Sequence, residues 1–159
     1  MIQDILPLLD GWSYSILGKT TPFIVPRGTE KVIEESKKPG WIVTAICTLD
    51  NPDATFIVTG YDPYRGYIEN AVTPRTLKDG GALYPNPFGL WVSRYDDTEK
   101  KYTIAFTPDD WLPFTTGYKI AIRAPMNSDV IVYRYDHVLI LIYDREAFIR
   151  SLREVLGTR

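Results

Sequence analysis

The sequence predicts an all-β chain folded as a two-sheet antiparallel sandwich, and three observations carry that prediction. Short segments whose side chains alternate in polarity recur from Trp12 to Tyr143, the period of a strand with one buried face. Turn-forming clusters separate them, such as Ser36-Lys37-Lys38-Pro39-Gly40, Asp50-Asn51-Pro52-Asp53 and Pro125-Met126-Asn127-Ser128. Aromatic residues make up 13% of the chain, with 11 Tyr, 6 Phe and 4 Trp, a bias that suits half-buried strands. A chain of 159 residues fits one domain, 1–159, whose core needs no covalent staples.

Residues 1–10 read as a short helix or arm. Ile2, Ile5, Leu6 and Leu9 have helical spacing, which Pro7 disturbs. Trp12, Tyr14 and Ile16 then alternate with Ser13, Ser15 and Leu17 until Gly18. Phe23 to Val25 is a short strand, and Glu30 to Glu35, with Val32 and Ile33 among charges, is an edge strand. Trp41 to Leu49 is the strongest strand, with Trp41, Val43, Ala45, Cys47 and Leu49 expected on one face. Ala54 to Thr59 is expected to return against it as a hairpin. From Tyr61 to Gly89 the prolines and glycines predict a long loop with short strands at Gly66 to Val72 and near Leu83. Leu90 to Tyr95 and Lys101 to Thr107 form a hairpin, and Pro108 to Gly117 a second loop. Tyr118 to Ala124 follows as a strand, and Val130 to Tyr143 as two strands or one bent one. Asp144 caps an amphipathic helix over 145–156 with Phe148, Leu152, Val155 and Leu156 as its stripe. Eight or more such strands fit a jelly roll. An immunoglobulin-like sandwich lacks its usual cysteine pair here, because Cys47 is the only cysteine.

Composition excludes several functions. The 18 basic and 20 acidic residues interleave, so no basic face for nucleic acid is expected. No apolar run has the length of a membrane helix, and no basic segment followed by an apolar run marks a signal peptide. One cysteine excludes an intrachain disulfide.

Catalytic signals are sparse. His137 is the only histidine, so no multi-imidazole metal site can form. No GxSxG elbow and no phosphate loop occur; Gly80-Gly81 has neither the spacing nor a following helix. Asp109-Asp110 beside Trp111, with Asp50, Asp53 and Asp62, are the carboxylates to consider for glycosidase chemistry or calcium, but their pattern suits solvated turns better. The expectation is no catalytic residue, no metal and no cofactor. What remains is aromatic: Tyr61, Tyr64, Tyr67, Tyr84, Phe88 and Trp91 in or beside the long loop, and Trp111 with Phe114 in the second. Rings gathered at a sandwich end stack on sugars, anchor a protein contact or plug the end.

The stretch from Phe23 to Val58 carries Val25-Pro26-Arg27-Gly28, Val32-Ile33, Pro39-Gly40-Trp41, and Asp50-Asn51-Pro52 followed by Phe56-Ile57-Val58. This pattern, over about a quarter of the chain, resembles jelly-roll virion structural proteins of tailed phages and related viruses. The resemblance implies a capsid, decoration, tail or fibre component that is made in the cytoplasm and assembles as a homo-oligomer with other particle proteins. A threefold ring is its analogue among jelly rolls. The alternative expectation is a carbohydrate-binding module that uses the loop aromatics.

Overall fold

A computed structural model describes residues 2–62, 66–87 and 89–157. Eleven strands among these residues form two antiparallel sheets: β1 (Trp12–Lys19), β2 (Phe23–Val25), β3 (Glu30–Ser36), β4 (Gly40–Leu49), β5 (Thr55–Asp62), β6 (Gly66–Val72), β7 (Leu90–Asp96), β8 (Lys101–Phe106), β9 (Leu112–Phe114), β10 (Gly117–Arg123) and β11 (Val130–Ile142). The larger sheet runs β1-β11-β4-β8-β7, with β2 also on β11 and β9 on β4; the smaller runs β3-β10-β5-β6. The steps β1–β2, β5–β6, β7–β8 and β8–β9 stay within one sheet, and every other connection crosses to the opposite sheet. That wrapping is the double Greek key of a jelly-roll sandwich.

The core lies between the sheets. Ile42, Cys47, Leu49, Tyr102, Ile104 and Leu139 from the larger sheet meet Phe56, Val58, Tyr118, Ile120 and Ile122 from the smaller one. A second apolar cluster sits on the outer face of the larger sheet. There α1 (Ile2–Ile5), the 3-10 turn Leu6–Leu8 and α3 (Arg145–Gly157) cover Ile140 with Leu6, Leu9 and Phe148, flanked by Trp12, Trp41, Val43 and Trp111. Asp144 caps α3 by accepting the Ala147 N–H at 3.0 Å. Leu152 and Val155 belong to the covered stripe, whereas Leu156 is 52% exposed and lies outside it.

Several expectations change. β4 and β5 are not a hairpin, because they belong to different sheets. Asp50 accepts the Ile131 N–H at 2.8 Å, which ties the turn to β11 and sends the chain over the sandwich end. The faces of β4 switch midway. Leu139 pairs with Ile42 and Val138 with Thr44, so Val43 is an extra residue, a β-bulge. It turns Ala45, Cys47 and Leu49 inward together with Ile42, and sends Trp41 and Val43 to the outer cluster. A second bulge at Tyr133 lets β11 run unbroken through Asp136 and His137. No strand forms near Leu83. The long loop instead holds α2 (Pro74–Asp79), whose Thr73 side chain accepts the Thr76 N–H at 3.1 Å. The second loop contains β9, and its Phe114 is a core residue.

Gly117 has a φ of +129°, and any Cβ there would strike the Ser36 carbonyl. Only glycine allows the β9–β10 turn to pass so close to the end of β3.

Candidate functional site

The aromatic residues singled out in the sequence do not form one platform. Tyr64 and Phe88 lie outside the described residues, and of Tyr67 only the β6 backbone is described. Tyr61 ends β5 on the outer side of the smaller sheet. Trp91 lies across from Ala105 on the outer face of the larger sheet, its indole N–H donating to Thr107 Oγ1 at 3.0 Å. Trp111 packs in the outer cluster. Tyr84 is 76% exposed in the loop before β7. Tyr61 and Trp91 take the faces that β5 and β7 assign, whereas Tyr84 and Trp111 lie outside the strands, so the rings are dispersed.

One open hollow involves them. Glu35, Ser36, Lys37, Tyr61, Thr116 and Tyr118 surround a cavity of about 470 Å3 at the end of the smaller sheet. Its floor is fixed by the Tyr61 carbonyl, which accepts the N–H groups of Thr115 at 2.9 Å and Thr116 at 3.1 Å. Beyond it the outer face of the smaller sheet is ionic. Glu30 binds Arg123 Nη2 at 2.8 Å and Lys119 Nζ at 3.1 Å. The Arg123 guanidinium, followed by Lys119, holds the Glu30 carboxyl below its ordinary range.

The titratable candidates are scattered over the fold. His137 is 2% exposed; the Tyr135 hydroxyl lies 3.0 Å from Nδ1 and Ser15 Oγ 3.3 Å from Nε2. The Ser15–His137 contact has the outline of a nucleophile and its base. Burial pushes the imidazole pKa down to about 4 and seals it from any substrate. Cys47 is fully buried, and desolvation pushes its thiol far up, away from reactivity. Asp109 and Asp110 are exposed on a bend, and Asp53 is engaged with the Arg75 guanidinium at 2.6 Å. Among the described residues no group of three or more His, Cys, Asp or Glu converges as a metal site, and no helix is long and apolar enough to cross a membrane. The side chain of Asp62 lies outside the described residues.

The surface that stands out was not singled out in the sequence. β1 and β2 lie in line along the free side of β11. On their outer face Ile16 is 75%, Tyr14 58% and Ile24 57% exposed, beside half-buried Val138 and Ile131. Neighbouring large apolar side chains in water, as at Tyr14 and Ile16, are the unusual observation in a folded chain; Ile24 stands apart from them, beyond the Arg134–Asp136 ion pair. The signal was present: Trp12 to Gly18 carries no charge. Alternation does not say which side of this strand meets the core; in the fold Ser15 and Leu17 take the inward positions opposite Leu139 and His137.

No protein-family model matches the chain, and no curated protein is a significant match to it.

Proposed function

We propose that this protein is a non-catalytic structural component that self-associates, and that it serves as a building block of a virion or similar particle. The observation that carries the reading is the exposed apolar pair Tyr14 and Ile16 on β1, an edge strand of the larger sheet without a charge from Trp12 to Gly18. Burying such a pair against another subunit removes apolar area from water at about 25 cal/mol per Å2. The jelly-roll topology supports the particle setting, since this architecture recurs in viral capsid domains, although a fold hosts many functions. Size-exclusion chromatography with light scattering tests the self-association. The expected result is a mass above the 18.2 kDa of one chain that grows with concentration. A strictly monomeric chain at millimolar concentration would refute it. Capsid, portal or tail genes beside this one would support the particle setting.

A second reading, glycan binding, is favoured by the hollow where the Tyr61 ring borders the polar groups of Glu35, Ser36 and Thr116. An aromatic face next to hydrogen-bonding groups is the chemistry that sugars require. A glycan array without hits for the wild type would remove this reading.

A further inference from the structure

We infer that the free edge of β1 pairs antiparallel with β1 of a second copy of this chain, centred on Ile16, joining two larger sheets across a twofold axis. The inference rests on the self-association proposed above and names the interface.

The backbone sets the geometry. Tyr143 donates its N–H to the Gly11 carbonyl at 2.9 Å, in register with the Trp12–Ile142 pair that begins β1. Hydrogen-bonded and open pairs alternate along an antiparallel ladder. Ser13, Ser15, Leu17 and Lys19 therefore direct their N–H and C=O groups at β11, while Trp12, Tyr14, Ile16 and Gly18 direct theirs off the sheet. The other side of β11 agrees: the Ile142 N–H goes to the Pro39 carbonyl, toward β4, at 2.9 Å. No other strand pairs with β1 among the described residues.

Of the other edges, β2 and β9 are only three residues long, and β3, β6 and β7 carry devices that discourage pairing. β3 bears Glu30, Lys31, Glu34 and Glu35 and a bulge at Ile33. β7 bears Arg94 and Asp96 and a bulge at Ser93. β6 contains Glu69. β1 has none of these: its register to β11 is unbroken from Trp12 to Lys19, and Lys19 at its end is its first charge.

The chemistry selects an extended strand as the occupant, and β1 is complementary to itself. With Ile16 opposite the partner's Ile16, Tyr14 falls opposite the partner's Gly18, so a large ring meets the residue without a side chain. Lys19 falls opposite the partner's Ser13, and like charges do not meet. The three outward-directed pairs supply about six backbone hydrogen bonds. The exposed side chains of Tyr14 and Ile16 meet their counterparts on the same outer face.

Amide exchange on 15N-labelled full chain at two concentrations tests the pairing, with light scattering on the same samples. The expected result is that Tyr14, Ile16 and Gly18 become at least tenfold more protected as the dimer forms, while Ser13, Ser15 and Leu17 are protected throughout. Ile16→Lys, at a site 75% exposed, is expected to keep the wild-type circular dichroism and to lower the dimer fraction at least tenfold. A dimer that leaves the Tyr14, Ile16 and Gly18 amides unchanged, or that persists in a folded Ile16→Lys variant, overturns the edge pairing and leaves self-association through another surface. A wild-type chain that never dimerises overturns both. The exchange pattern decides the matter even if the variant does not fold.

Discussion

Lowering the pH from 7 to 4.5 should destabilise this protein through His137. The imidazole is 2% exposed, and burial, reinforced by Lys19, brings its pKa from 6.5 to about 4. Between those values the unfolded chain holds a proton that the folded chain refuses. The unfolded state binds more protons, so stability falls as the pH drops through this window and is fully present above pH 6.5. At about 1.4 kcal/mol per pH unit, the whole window is worth about 3 kcal/mol, most of it lost by pH 4.5. Urea titrations of the wild type and His137→Gln at both pH values measure it. Carboxylates such as Glu30 titrate in both proteins, so their contribution cancels in the comparison. The wild type should lose about 2 to 3 kcal/mol more than the variant on acidification. Because the chain has one histidine, its ring resonances follow the same titration without ambiguity. Equal acid sensitivity of the two proteins, or an imidazole that titrates near 6.5, would refute the reasoning.

Three further outcomes are expected. Gly40→Ala should cost about 1 to 3 kcal/mol, measured by the urea midpoint, because a methyl group there runs into the Ile140 carbonyl of β11. Asp144→Ala should cost about 1 kcal/mol in thermal or urea unfolding, because the Ala147 N–H loses its acceptor; an unchanged midpoint would show that packing of the helix, and not its cap, holds α3. Cys47 should resist iodoacetamide in the native protein and react in urea, followed by mass spectrometry, because it is fully buried with its thiol kept protonated; native labelling at the rate of a free thiol would contradict the fold around β4.

The two-sheet architecture was legible because period-two alternation and turn chemistry are local. Tyr102, Ile104 and Phe106, and Tyr118, Ile120 and Ile122, point where their spacing says. Alternation carries no record of an inserted residue, however. The bulges at Val43 and Tyr133 reverse the phase within a strand, and only the pairing with the neighbouring strand reveals them. The partner of β5 was hidden for a related reason: proximity in sequence favours a hairpin, whereas the choice between sheets is made by long-range packing. α2 had a readable signal in Thr73-Pro74, an N-cap followed by proline at the first helical position, but the surrounding glycines and prolines drew the segment toward loop. The aromatic site dispersed because a strand face places Trp91, while packing in the outer cluster places Trp111. The exposed pair on β1 escaped notice because apolar alternation is taken as a sign of burial.

The outer cluster also sets a timetable. Asp10 donates its N–H to Ser151 Oγ across 141 positions, and Leu6 and Leu9 find their cover in Phe148. During synthesis those leucines emerge well before Phe148, which shelters them. Contacts of such separation make folding slow and leave early segments prone to capture by other chains. A chaperone that shields Leu6 and Leu9 until α3 has been made would therefore raise the soluble yield.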